Sequence, residues 1–287
     1  MVNAGQYQVI ECPRDAMQGW RNFIPTAQKI KYINSLLKVG FDTIDFGSFV
    51  SSKAIPQMAD TAEVLKKLDL SGTSSKLLAI IANTRGAQEA SVFEQISYLG
   101  FPFSVSPTFQ QRNTNSTPEQ SLERVEEIQN LCVKTGKKLV VYLSMGFGNP
   151  YGDEYSSEIV FNWGEKLVEM DVEILSIADT VGLAEPEEVF SITSHLVRSL
   201  PNTTVGVHLH SSPANWRLKL EAAVRAGCTR FDGALNGIGG CPMAGDELVG
   251  NMNTIWMIDH FAEQGIVLNI NKHALRVSLQ VAAETFI

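Results

Sequence analysis

Several features are missing from this chain, and each absence narrows what it can be. Its four cysteines, Cys12, Cys132, Cys228 and Cys241, form no CxxC pair and no disulfide-dense spacing. That excludes a disulfide scaffold and the common zinc-knuckle patterns. No run of Lys or Arg exceeds a pair, and 23 basic residues stand against 31 acidic ones, for a net charge of −8. An acidic balance without a basic stripe argues against nucleic acid or anionic membrane as the main partner. It leaves room for an anionic small substrate, since a local site can differ in sign from the surface. No apolar segment approaches the ~20 residues of a membrane span. The residues before the first apolar run, Tyr7 to Glu11, lack the layout of a signal peptide and the Arg-rich stretch of a transit peptide. The ending Glu284-Thr285-Phe286-Ile287 is no targeting tripeptide. A reduced, cytoplasmic protein is the expectation. Linkers, low-complexity segments and shifts of composition are also missing, so one domain over residues 1–287 is expected.

What the chain does contain is alternation. Apolar, β-branched runs recur between longer amphipathic stretches. Candidate strands are Gln6–Cys12, Thr43–Phe46, Leu77–Ile81, Phe103–Ser106, Leu139–Ser144, Ile174–Ala178, Thr204–His210 and Arg230–Leu235. Candidate helices include Thr26–Val39, Ala87–Leu99 and Pro118–Val133. Thr117-Pro118-Glu119-Gln120 combines a capping Thr, a Pro in the first turn and a capping-box Gln. Glu185-Pro186-Glu187-Glu188 places acids where the helix dipole favours them. Eight strand–helix units in this length predict a TIM (β/α)8 barrel, an α/β fold, with an additional C-terminal helix at Lys272–Thr285. An open doubly wound sheet is the alternative. Against it, the turn after the first strand reads Pro13-Arg14-Asp15, not a glycine-rich phosphate loop.

In such a barrel the chemistry sits at the C-terminal ends of the strands. The residues found there are Arg14, Asp15 and Gln18, then Asp45, Gly47 and Ser48, then Asn83 to Gly86, Ser144 to Gly146, Asp179 and Thr180. His208 and His210 follow on the seventh strand, two residues apart and so on one face. The eighth runs into Asn236-Gly237-Ile238-Gly239-Gly240-Cys241-Pro242, then Gly250-Asn251. Carboxylate and amide oxygens with two imidazoles suit Mg²⁺ or Mn²⁺. Zn²⁺ would more often recruit the thiol directly. Three glycines so close after a strand suggest a lid.

Taken together, Pro13-Arg14-Asp15-x-x-Gln18, Ser48-Phe49-Val50-Ser51, Pro56-Gln57-Met58, Asp179-Thr180-Val181-Gly182, His208-x-His210 and Gly237-x-Gly239-Gly240-Cys241-Pro242 resemble the 3-hydroxy-3-methylglutaryl-CoA lyases. These belong to the metal-dependent barrel lyases and synthases. The resemblance covers nearly the whole chain, in order. It implies a retro-aldol cleavage to acetyl-CoA and acetoacetate, an acyl-CoA substrate and a homodimer. It also implies a divalent cation on Asp15, His208, His210 and Asn251, with Arg14 at the developing enolate oxygen and Cys241 as the acid that protonates the carbanion. Asp15 or His208 would serve as the base. Gln18, Asp45, Asn83, Asp179, Gly239 and Gly240 would surround the metal or the substrate, and Asn83 to Gly86 with Phe109 to Asn115 would receive the thioester.

The chain departs from the family where Ser211-Ser212-Pro213 replace an Asp-Thr after the histidine pair, and where Asp45 replaces a Glu. Two further readings therefore stand beside the first. One is a lyase or aldolase for a different 3-hydroxyacyl-CoA or 4-hydroxy-2-oxo acid. The other is an inactive, ligand-binding barrel in a larger assembly. The plainer readings are a structural Arg14–Asp15 ion pair, an Asp179 that anchors a loop, and Cys12, Cys132 and Cys228 as packing residues.

Overall fold

The structure is a computed structural model and describes residues 7–240 and 249–287. Eight parallel strands close into a barrel in sequential order, the last pairing with the first. They are β1 (Gln8–Glu11), β2 (Thr43–Ser48), β3 (Lys76–Ile80), β4 (Ile96–Ser104), β5 (Lys138–Ser144), β6 (Ile174–Ala178), β7 (Thr204–His208) and β8 (Arg230–Gly233). The helices are α1 (Pro13–Gln18), α2 (Thr26–Leu36), α3 (Thr61–Leu65), α4 (Thr84–Ser91), α5 (Pro107–Thr114), α6 (Pro118–Thr135), α7 (Ser157–Val168), α8 (Pro186–Ser199), α9 (Trp216–Arg225), α10 (Thr254–Glu263) and α11 (Lys272–Thr285).

The period-2 alternation of the strands divides the core in two. Leu78, Val140, Tyr142 and Ile174 fill the barrel interior as one cluster. Their strand neighbours Leu77, Ala79, Val141, Leu143, Leu175 and Ile177 belong to the larger cluster against the helices. The helix starts read from sequence are present. Thr117 and Gln120 form the reciprocal box at the start of α6, and α8 begins at Pro186 with Glu187 and Glu188 in its first turn. The helix α11 spans the residues expected and packs on α2, with Phe286 edge-on to Tyr32 and Trp20. Among the described residues, no helix is long and apolar enough to cross a membrane.

The fourth unit differs from expectation. The helix expected over Ala87–Leu99 ends at Ser91, and β4 starts at Ile96 instead of Phe103. The reason lies in Gly100 and Pro102, which read as breakers yet sit inside the strand. A Cβ on Gly100 would fall 2.6 Å from Ile80 Cδ1, so the barrel wall admits no side chain there. Likewise Pro13-Arg14-Asp15 is the first turn of α1, where the missing proline N–H costs nothing. The strand β7 stops at His208, and His210 lies beyond it.

Candidate active site

The first strand delivers Arg14 and Asp15 into the barrel mouth, both buried. Asp15 Oδ1 accepts from Arg14 Nη1 and Gln18 Nε2, each at 2.8 Å, while Oδ2 accepts from Asn251 Nδ2 at 2.7 Å. Arg14 turns its other edge to Asp45, donating from Nε at 3.0 Å and Nη2 at 2.6 Å to Oδ2. One guanidinium thus bridges two carboxylates, and the shorter Asp45 side chain still reaches it. Burial alone would raise the Asp15 carboxyl, but Arg14 and then the two histidines outweigh it and hold it at about 2. Asp45 is pushed up to about 6 by burial, against the pull of Arg14.

The two histidines are held by different means. His208 Nδ1 lies 3.2 Å from Asp232 Oδ2, and Asp232 Oδ1 accepts from Arg230 Nη1 at 2.9 Å. This fixes the ring and leaves its Nε2 for the mouth. Burial opposes charging of His208, but Asp232 more than compensates and its pKa is raised. His210 faces Asn251 across an antiparallel bridge. The flanking bonds run from Ser211 N to Gly250 O at 2.9 Å and from Met252 N to Leu209 O at 3.0 Å. His210 and Asn251 therefore form the close, non-hydrogen-bonded pair of that ladder. Burial, then the charge of His208, hold His210 down at about 4, so its imidazole is neutral at pH 7.

Whether this set fits a metal can be asked of the orphaned atoms. Among the described residues, His210 Nε2 and Asn251 Oδ1 are buried without a partner. Buried polar groups are nearly always satisfied, and both atoms are neutral acceptors. Ligand atoms of Asp15, His208 and His210 lie within 4.8 Å of one another. A carboxylate, two imidazoles and an amide oxygen suit a divalent ion, so the residues fit. A second trio, Cys12, His208 and Asp232, is equally close. Its imidazole nitrogen is already engaged by Asp232, and burial pushes the Cys12 thiol well up.

The site opens on a cavity of about 390 Å³. Arg14, Asp15, Gln18, His208 and His210 line it together with Asn83, Phe109 and the Arg112–Asn115 stretch. Asn83 caps α4, accepting from Gly86 N at 2.9 Å. Gly239 passes directly over the site: a Cβ there would fall 2.6 Å from Asn251 Nδ2 and 2.9 Å from Asp15 O, at a φ of +107°. Gly240 follows at φ +131°. Cys241 lies outside the described residues.

A comparison of the whole chain with known families decides its kinship: the HMGL-like family matches residues 9–281. The chain belongs to the HMGL-like family of carbon–carbon lyases. Within the HMGL-like proteins, the hydroxymethylglutaryl-CoA lyase of Bacillus subtilis (strain 168) is 32% identical over 235 residues, 81% of this chain and 77% of the relative. The mitochondrial hydroxymethylglutaryl-CoA lyase of Bos taurus is 31% identical over 274 residues, 94% of this chain and 82% of the relative. Among solved structures, an HMG-CoA lyase from Acinetobacter baumannii in complex with coenzyme A and 3-methylmalate superposes with a TM-score of 0.91 at 30% identity. It covers 99% of this chain and 93% of that one.

Against that HMGL-like background, Asp179 sits outside the cavity lining. Its Oδ2 accepts from Lys219 Nζ at 2.7 Å and its Oδ1 from Ala184 N at 3.0 Å, so the carboxylate is spent on protein partners. Sequence reasoning passed over Lys219, Glu11, Tyr142, Arg230 and Asp232. Alternation along β8 was the available signal for the last two: Arg230 and Asp232 share the barrel-interior face that Phe231 leaves. Glu11 had no signal of its own. It lies beneath the stems of the glycine-rich segment, accepting from Leu235 N at 2.8 Å and Thr254 Oγ1 at 2.6 Å. Burial raises it to about 8 despite both bonds.

Proposed function

We propose that this chain cleaves 3-hydroxy-3-methylglutaryl-CoA to acetyl-CoA and acetoacetate, with Mg²⁺ or Mn²⁺ held by Asp15, His208, His210 and Asn251. The observation that carries the reading is the clustering of three of these ligands in the lining of one cavity, with Arg14 beside them. A bound divalent ion would supply Lewis acidity to the substrate's hydroxyl and carbonyl oxygens. The remaining work falls to the chain's own groups. Asp15, or His208 with its Nδ1 held on Asp232, would take the hydroxyl proton. The carbon–carbon bond then breaks toward the thioester, and the electron pair moves onto the thioester oxygen as an enolate. Arg14, locked between Asp15 and Asp45, stabilises that charge without reorganising. Cys241 returns a proton to the enolate carbon and completes acetyl-CoA. The cavity lining at Asn83, Phe109 and Arg112 receives the coenzyme A handle, a ligand that the Acinetobacter baumannii relative holds. A cytoplasmic homodimer is the form in which this reading places the enzyme.

Purified protein with Mg²⁺ or Mn²⁺ is expected to release acetyl-CoA and acetoacetate from the thioester. Cys241→Ser is expected to bind Mn²⁺ as the wild type does while turnover falls by orders of magnitude. Cleavage of a related 3-hydroxyacyl thioester and not of this one would move the substrate, a result to which Ser211-Ser212-Pro213 would then be the first place to look. No cleavage of any such thioester would overturn the lyase reading for this chain.

A further inference from the structure

The feature that the reaction leaves unexplained is a lysine inside the protein. Lys219 lies on α9 with its side chain 1% exposed, among Leu220, Ala222 and Ala223 on the buried face of that helix. Moving an ammonium out of water is costly unless every donor finds an acceptor. Here each of its three N–H groups does. Nζ donates to Asp179 Oδ2 at 2.7 Å, to His210 O at 2.9 Å and to Gly182 O at 3.3 Å. Asp179 and Gly182 belong to the loop after β6, whereas His210 stands beyond the end of β7. The same loop reaches a third segment, because Gly182 packs so close to Val249 that a Cβ would meet its side chain at 2.8 Å. Val249 stands two residues before Asn251.

We propose that Lys219 is a positioning residue: its ammonium fixes the backbone of His210, and through the β6 loop the approach of Asn251, so that both present their free acceptors to the divalent ion. A lysine needed only to neutralise Asp179 would have no reason to extend past it to a ligand's carbonyl. The position of His210 supplies that reason. Among the described residues no strand partner takes the His210 carbonyl beyond β7, and the ladder facing Asn251 is hydrogen-bonded at the neighbours Leu209 and Ser211. The residue after the pair is Ser211, whose short hydroxyl reaches Met252 Sδ at 3.6 Å and not the metal site. Orientation that a carboxylate at that place would provide comes here from an ammonium one turn into α9. This inference rests on the ligand set above but not on the identity of the acyl group.

The test is Mn²⁺ binding, followed by electron paramagnetic resonance titration, with thermal unfolding measured in parallel. Wild type is expected to bind Mn²⁺. Lys219→Met is expected to bind at least tenfold more weakly and to melt lower, since it strands the Asp179 charge. The double variant Asp179→Asn/Lys219→Met removes that stranded charge. It is expected to recover much of the melting temperature while Mn²⁺ binding stays weak. Recovery of wild-type Mn²⁺ affinity in the double variant would reduce Lys219 to a counter-charge and overturn the proposal. A wild type that binds Mn²⁺ but cleaves no thioester would remove the proposed substrate and leave the Lys219 result to stand. A wild type that does not bind Mn²⁺ would overturn the ligand set and this proposal with it.

Discussion

The two halves of the barrel mouth are built on opposite principles. On the β1, β7 and β8 side charged groups are tied to one another: Asp15 accepts three bonds, Arg14 spans two carboxylates, and Arg230, Asp232 and His208 form a chain, beside the two free acceptors of His210 and Asn251. In the segments after β2 to β4 the cavity is lined by apolar groups such as Val50, Ile55 and Phe109 and by uncharged amides and hydroxyls, with Arg112 exposed at the rim. The first half holds groups in one geometry, which suits stabilisation of a transient charge. The second offers surface and a few donors, which suits a long, flexible ligand that needs holding more than aligning. Under the proposed function, chemistry and recognition fall to separate arcs of one ring.

The sharpest way to break that division is Asp15→Asn. An amide there turns a donor toward Arg14, Gln18 or Asn251 and removes a charge from the ligand set. Turnover is expected to fall by about 10³-fold, on the order of losing one electrostatic group at a reacting centre, and Mn²⁺ binding is expected to weaken with it. Steady-state rates within tenfold of wild type would show that the first arc is not where the chemistry happens.

A middle-sized effect separates the arcs by pH. Glu11 anchors the stems on the β8 side, and Asp153 anchors the start of α5 on the other, accepting from Ser106 Oγ, from Thr108 N at 3.0 Å and from Thr108 Oγ1 at 2.7 Å. The two shift in opposite senses. Burial lifts Glu11 from 4.5 to about 8, so the stability it contributes is full below 4.5 and is lost as pH rises through about 8. Asp153 is lowered, its hydrogen bonds from Ser106 and Thr108 outweighing burial, so its contribution is present above its ordinary 3.8 and is lost in acid. Amide exchange at Leu235 is therefore expected to speed up on the alkaline side and at Thr108 on the acid side. Glu11→Gln is expected to flatten the decline of melting temperature between pH 5 and pH 8. An unchanged slope in that variant would remove Glu11 as its source.

The smallest effect is expected at Arg112→Ala. Its guanidinium stacks 4.6 Å from the Tyr151 ring at the cavity rim. Loss of one exposed cation should raise KM for the thioester about three- to tenfold, an effect of the size of a single exposed charge contact, and leave kcat alone. A fall in kcat with KM unchanged would place Arg112 with the chemistry.

The sequence made the barrel readable because its strands alternate and its helices start on recognisable caps, as at Thr117 and Glu185. It also brought Arg14, Asp15, His208, His210 and Asn251 to one place, since strand ends converge in a closed ring. The fourth strand was misplaced because Gly100 and Pro102 serve packing against Ile80 and Tyr142, neighbours that no local pattern reveals. Asp179 lay in a family motif, but its meaning depends on Lys219, which is 40 residues away. A lysine on an apolar helix face looks like a solvated residue until its three acceptors are known. Glu11 carried no local signal, because only the crossing of two later segments over it holds its carboxyl.

The pairing of β1 with β8 has a consequence for how the protein comes into being. Asp15 and Asn251, bonded to each other, are 236 residues apart. On the proposed ligand set, a nascent chain has its arginine–aspartate pair from the start but could hold a divalent ion only after the eighth strand and the segment after it have emerged and the ring has shut. Closing so long a loop is entropically slow, and any divalent ion that binds only the shut ring favours it by mass action. Cation concentration would thus act on the yield of folded protein as well as on its rate of turnover, and a chain cut before Asn251 would show neither effect.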